Sequence, residues 1–251
     1  MLFSSKKKSI SYASFSQAGT DHRNEDSVLT ASIDDRFCFV VADGLGGHEG
    51  GADASKLVTD VFAQELSAAT SNRAFIQRAF DRAQEEIHVA QNAKGDIRCM
   101  RTTAVVLSVI GNTFAWGHVG DSRLYHYEHE VLLERTKDHS VPQVLVDEGV
   151  IKESEIATHP DRARLLCAVG DKWDVPKYEI SKVRPLRSNS AFLLCSDGLW
   201  EVLAQEMLAP PLCGDAQVWL SILLERMDCA VKSSNSERRF DDYSAVVVII
   251  K

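Results

Sequence analysis

The 251-residue chain has no CxxC pair, no Cys/His set with zinc-ligand spacing, and no apolar stretch near the ~20 residues that a membrane span needs. These absences exclude a zinc ribbon or finger and a helical membrane protein. The first residues, MLFSSKKKSIS, are basic but lack the apolar core of a signal peptide. There is no GKS or GKT triplet, so no P-loop, and no CxxxxxR phosphatase loop. No Pro/Gly/Ser-rich linker divides the chain and no internal repeat is visible, so one domain over residues 1–251 is expected. Basic residues are the minority: Lys plus Arg number 28 against 36 Asp plus Glu, a formal charge of −8. A surface of that sign repels nucleic-acid backbones and anionic lipids, and no basic, aromatic-rich stretch offsets it. The expectation is therefore no nucleic-acid and no membrane partner. The six cysteines are widely spaced, and Cys38 and Cys195 sit in the apolar runs FCFVV and FLLCS, where a thiol behaves as a small hydrophobe. A reduced, cytoplasmic protein is expected.

Short runs rich in Val, Ile, Phe and Thr predict strands near 10–17, 27–33, 36–42, 102–110, 112–119, 122–127, 130–135, 178–183, 191–196 and 243–250. Tight turns such as Gly111-Asn112 join several of them, which favours antiparallel meanders. Helical periodicity predicts three helices: one from near Ala52, carrying Leu57, Val58, Val61 and Phe62; one from an Asn72 cap, carrying Phe75, Ile76, Ala79 and Phe80; and one from an Asp215 cap, carrying Trp219, Leu223 and Met227. The more polar segment 138–172, with Pro142, Pro160 and Gly170, reads as small helices and loops forming a flap.

The chemical signal is a junction that recurs. FCFVVAD ends in Asp43, FAWGHVGD in Asp121 and FLLCSD in Asp197, while FDDY places Asp242 just before a strand and RNEDS places Glu25 and Asp26 before another. One Asp-Gly at a strand end is an ordinary turn signal. Five carboxylate-bearing junctions in one chain are a different matter, because carboxylates gathered at one rim repel unless a cation joins them. Oxygen ligands of this kind suit Mg²⁺ or Mn²⁺. The segment DGLGGHEGG, residues 43–51, spends five glycines in nine positions, which calls for close approach of backbone to an ion or ligand, and His48 lies beside it.

These motifs resemble the PP2C-type (PPM) family of metal-dependent phosphatases. NED at 24–26, DGLGGHEGG at 43–51, TTA at 102–104, GHVGDSRLY at 117–125, KDHS at 137–140, LLCSDGLWEVL at 193–203 and DDYSAVVVI at 241–249 occur in the family's order, with a bacterial wording. The resemblance implies an α+β fold, a four-layer α-β-β-α sandwich of two antiparallel sheets. It implies two to three Mn²⁺ or Mg²⁺ ions. Asp43 would bridge two of them, the Gly44 carbonyl would bind one, Asp197 and Asp242 would complete the second site, and Asp121 would hold a third ion. Glu25 and Asp26 would act through water, and His48 as the general acid. The implied activity is hydrolysis of phosphoserine and phosphothreonine by a water bridging the metals, in a monomer that opposes a bacterial Ser/Thr kinase. Asp21 stands where the family carries a phosphate-binding arginine, so Arg23 and Arg101 are the candidates, Arg23 preferred for its place before NED. Arg101 replaces a glycine, and Tyr243 stands where an asparagine is expected after the metal aspartate. A pseudophosphatase would have lost metal aspartates, which this chain keeps, and a two-metal nuclease is disfavoured by the charge.

Overall fold

A computed structural model describes residues 8–20, 23–45, 49–95, 100–234 and 239–251. Its strands are β1 (Ile10–Gln17), β2 (Ser27–Ile33), β3 (Arg36–Ala42), β4 (Gly44–Leu45), β5 (Arg101–Thr102), β6 (Ala104–Ile110), β7 (Thr113–Val119), β8 (Arg123–Glu128), β9 (Val131–Arg135), β10 (Glu179–Ile180), β11 (Arg184–Pro185), β12 (Ser190–Cys195) and β13 (Tyr243–Ile250). The α-helices are α1 (Glu49–Glu65), α2 (Asn72–Lys94), α3 (Val141–Asp147), α4 (Asp197–Trp200) and α5 (Ala216–Ser233).

Two antiparallel sheets face each other. One runs β1-β13-β12-β8-β9; the other runs β10-β7-β6-β3-β2, with β11 also on β7. The alternation of side chains across each strand explains the layering. In β3, Cys38, Val40 and Ala42 pack under α1 and α2 with Val58, Phe62, Phe75 and Phe80. Phe39 and Val41 point the other way, into the layer between the sheets with Val105, Leu107, Phe192 and Val246. In β12 and β13, Leu193, Cys195, Ala245 and Val247 lie under α5 with Trp219, Leu223 and Met227. Helices, sheet, sheet and helix therefore form four layers. Strands buried on both faces read as continuous apolar runs, as β3 and β13 do. The five described cysteines are unpaired, and Cys38, Cys167 and Cys195 are buried. No described helix is long and apolar enough to cross a membrane.

Several details differ from the expected elements: the strand expected at 102–110 is split into β5 and β6, and the one at 178–183 shortens to β10. Helix α1 begins at Glu49, inside the glycine-rich segment. Asn72 does not cap α2: it is the first helical residue, and its buried side chain donates to Thr113 Oγ1 (2.9 Å) and accepts from Ser108 Oγ (2.7 Å). Asp215 does cap α5, accepting from the amides of Gln217 and Val218. The segment 138–172 contains α3 and a 3₁₀ helix at 153–158, and it is tied at both ends, by the His139 amide to the Gly120 carbonyl and by the paired amides and carbonyls of Thr102 and Val169.

Candidate active site

Antiparallel register brings the carboxylates to one rim. The start of β2 pairs with the end of β3 (Ser27 with Ala42), so Asp26 and Asp43 leave the sheet side by side. The start of β6 pairs with the end of β7 (Ala104 with Val119), which sets Thr103 near Asp121. On the facing sheet the end of β12 pairs with the start of β13 (Cys195 with Ala245), so Asp197 and the Asp241-Asp242 pair emerge together.

The turns that follow are pinned by the motif residues. The Thr103 amide and the Thr102 hydroxyl both donate to the Asp43 carbonyl (2.8 and 2.7 Å), and the Asp43 amide donates to Thr103 Oγ1 (3.2 Å). Thr103 Oγ1 also shares a hydrogen bond with Ser122 Oγ (2.6 Å), one residue past Asp121. Gly44 packs against the Gly51 backbone so closely that a Cβ would overlap it. Gly198 meets the Asp242 carbonyl in the same way. These two contacts account for the glycine in each Asp-Gly pair. The Trp200 indole N–H donates to the Asp121 carbonyl (3.0 Å), and the Arg123 guanidinium lies 3.4 Å above the Trp200 ring while bonded to both Asp138 oxygens (2.8 and 2.6 Å).

The acidic side chains share one electrostatic environment. Burial holds the Asp43 and Asp197 carboxyls well above the usual range; Asp197, Asp26, Asp121 and Asp241 add to the effect on Asp43, and Asp121, Asp241, Glu201 and Asp26 add to it on Asp197. Burial pushes Asp121 up to about 7, aided by Asp138 and opposed by Arg123. Asp26 also rises to about 7 through burial, although hydrogen bonds from Ser244 and Ser196 oppose it. One oxygen each of Asp26 and Asp197 is buried with no hydrogen-bond partner among the described residues. Clustered carboxylates with orphaned oxygens are unfavourable alone and fit the oxygen-ligand preference of Mg²⁺ or Mn²⁺.

The expected residues do not all occupy equivalent positions. Asp43, Asp121, Asp197 and Asp26 interact as a group. Asp242 is held differently: it is buried, its two oxygens accept the amides of Gly19 (2.8 Å) and Glu25 (2.6 Å), and within the group it acts on Asp26. Its neighbour Asp241, exposed at the rim, acts on Asp43, Asp197 and Asp26. FDDY offers two aspartates, and the sequence reading chose Asp242; only register separates the two. Arg23 is exposed. Arg101 is committed to Asp171, at 2.6 Å. A cavity of about 450 Å³ beside Asp241 is lined by Thr20, Arg162, Gly198, Glu201 and Arg239, so two further arginines, unremarked in the sequence, face the site. His48 lies outside the described residues.

The protein phosphatase 2C family model matches residues 16–230. The serine/threonine phosphatase stp of Listeria monocytogenes is 28% identical over 235 residues, 90% of each chain. The serine/threonine protein phosphatase PstP of Mycobacterium tuberculosis is 31% identical over 202 residues, 79% of this chain and 38% of that one. The solved catalytic domain of PstP, in complex with two manganese ions, superposes with a TM-score of 0.80 at 26% identity, over 97% of this chain and 99% of that one. A match that runs from the first sheet strand into the last helix, with the motif order and the layered fold in agreement, places this chain in the protein phosphatase 2C family.

Proposed function

We propose that this protein is a metal-dependent protein phosphatase that hydrolyses phosphoserine and phosphothreonine, opposing a bacterial Ser/Thr kinase. The observation that carries the reading is the group of mutually repelling carboxylates, Asp43, Asp121, Asp197 and Asp241, at one rim, with a buried oxygen of Asp197 left without a partner among the described residues. Divalent cations, when bound, supply an activated water near neutral pH and offset charge on the phosphoryl oxygens. Asp43, the Gly44 carbonyl, Asp197 and Asp241 would hold two of them, and Asp121 with Asp197 a third. We reassign to Asp241 the ligand role expected for Asp242, because the Asp242 oxygens are occupied by backbone amides. Glu25 and Asp26 orient water at the edge of the group; the Asp26 carboxyl is itself held by the Ser196 hydroxyl (2.7 Å).

The test is hydrolysis of a phosphothreonine peptide with and without Mn²⁺ or Mg²⁺. Turnover is expected only with metal, and full activity in excess EDTA sinks the reading. Kinase opposition is checked by incubating the phosphatase with kinase-phosphorylated proteins of its own cell; failure to release phosphate from any of them removes that part.

His48 is assigned as the general acid that protonates the serine or threonine alkoxide. His48→Ala is expected to slow phosphopeptide hydrolysis by ~10²–10⁴-fold and p-nitrophenyl phosphate hydrolysis far less, since the aryl leaving group needs little protonation. Equal losses on both substrates point to a structural role instead.

The substrate phosphate also needs a cation beyond the metals, and an arginine fork matches its free oxygens. Arg23 is assigned this role over Arg101, whose charge is neutralised by Asp171. Arg23→Ala should raise KM several-fold with a smaller fall in kcat. An unchanged KM there, with a raised one in Arg239→Ala, moves the role to the cavity beside Asp241.

A further inference from the structure

Beside Gly120, which precedes Asp121, β7, β10 and the segment after β9 bring His118, His139 and Glu179 together. One donor atom from each lies within 4.8 Å of the others. The group shows no metal spacing, because its members are 21 and 40 residues apart; register pairs Glu179 with His118, and the His139 amide is tied to the Gly120 carbonyl.

The internal hydrogen bonding is that of a metal site. His118 is 3% exposed, and its Nε2 lies 2.7 Å from the Lys137 carbonyl, so Nε2 carries the proton and donates. Nδ1 is left with its lone pair, buried and without a partner among the described residues. A ligating imidazole is held in this way, with one nitrogen donating to a backbone carbonyl and the other free. The His139 ring is stacked at 4.7 Å and 28° on His118, and its Nε2 is 3.5 Å from a Glu179 oxygen. Burial lowers the pKa of both rings, to about 4 for His118, so each presents a neutral imidazole near neutral pH. Two neutral imidazoles stacked face to face gain little from one another. A cation joining a nitrogen of each ring to the carboxylate gives the buried His118 Nδ1 a partner.

We infer that His118, His139 and Glu179 form a second metal site, chemically distinct from the aspartate rim, that takes a borderline transition-metal ion and above all Zn²⁺. Two nitrogens and one carboxylate oxygen are the donor set of three-ligand zinc sites, with a fourth position for water, whereas Mg²⁺ prefers oxygen throughout. Tetrahedral bonds of about 2.0–2.1 Å set ligand atoms about 3.4 Å apart. His139 and Glu179 are already at that spacing, and the Glu179 side chain, 68% exposed, is free to close the remainder. His139 changes tautomer on binding. Its Nδ1, which accepts from the Gly120 amide at 3.3 Å, gives up that long hydrogen bond, takes the proton from Nε2 and donates to Cys167 Sγ at 3.2 Å. The bound ion then staples β7 and β10 to the start of the segment 138–172.

The probe is Zn²⁺ titrated by calorimetry into protein saturated with Mg²⁺, which occupies the oxygen site. One equivalent of Zn²⁺ is expected to bind, with a rise in melting temperature. Co²⁺ should give the intense visible absorption of a tetrahedral nitrogen-containing site. Glu179→Gln, an exposed change that preserves the fold, should weaken Zn²⁺ by at least about 10-fold, the lower range for perturbing a metal's ligand shell. It should leave Mg²⁺-dependent turnover unchanged. His118→Gln, checked for folding by circular dichroism, should abolish the Co²⁺ spectrum. Absence of Zn²⁺ binding to the Mg²⁺-saturated wild type overturns the site, and so does unaltered affinity in Glu179→Gln.

Discussion

Asp43→Asn is expected to lower metal-dependent turnover of a phosphothreonine peptide by roughly 10³-fold or more, since the group removed serves both ion binding and charge stabilisation. The same substitution should make the metal-free protein more stable. Burial and three neighbouring aspartates hold the Asp43 carboxyl above its ordinary range, with Asp241 adding to them. A raised carboxyl favours the fold while it is protonated, and that advantage is lost as pH rises through the folded-state value. At pH 8 in EDTA the wild type therefore carries the cost of ionising a crowded group, and asparagine does not. At pH 5, below the values near 7 reached by Asp26 and Asp121, the crowding is partly relieved by protonation. The gain in melting temperature for Asp43→Asn should therefore be larger at pH 8 than at pH 5. Each kcal/mol is worth about 2–4 °C in a domain of this size. With Mn²⁺ present the order reverses, because binding to the native state stabilises the wild type more. Lower stability of Asp43→Asn in EDTA at pH 8 contradicts the account of the cluster. Near-wild-type turnover contradicts the assignment of the site.

Much of this arrangement is legible in the sequence, for identifiable reasons. The strands of the core are long apolar runs, and a run such as FCFVVA can bury both faces only between a helix layer and a second sheet. The junction aspartates are legible because each run stops abruptly at a charge. What is lost is whatever depends on register or on long-range contact. Asn72 looks like a helix cap until Thr113 and Ser108, from two neighbouring strands, are placed against its side chain. Arg101 looks like a spare cation until Asp171 is brought beside it. The imidazoles of His118 and His139 lie in the GHVGDSRLY and KDHS motifs but show no metal signature there, since the zinc patterns read from sequence are local spacings and Glu179 joins His118 by strand pairing.

The Asp241-Asp242 pair is where sequence and structure diverge most usefully, and a pair of conservative variants separates the two readings. Asp241→Asn is expected to reduce turnover by roughly 10²–10³-fold, the range for losing one preorganised electrostatic group, and to shift the Mn²⁺ activation curve to higher concentration. Its stability without metal should hold or rise, because Asp241 is exposed and repels Asp43 and Asp197. Asp242→Asn should do the reverse. Asp242 is buried, and its carboxylate joins the amide of Gly19, after β1, to that of Glu25, before β2. An asparagine has one acceptor oxygen and an NH₂ that cannot face a second amide donor. One backbone N–H therefore loses its partner, at a cost of about 1–3 kcal/mol. The variant should melt lower yet keep most of its turnover per folded molecule, with the Mn²⁺ requirement little changed. Mn²⁺ affinity measured by calorimetry decides between them. If affinity collapses in Asp242→Asn and survives in Asp241→Asn, the ligand is the residue next to the strand, and the two amides of Gly19 and Glu25 serve to orient it.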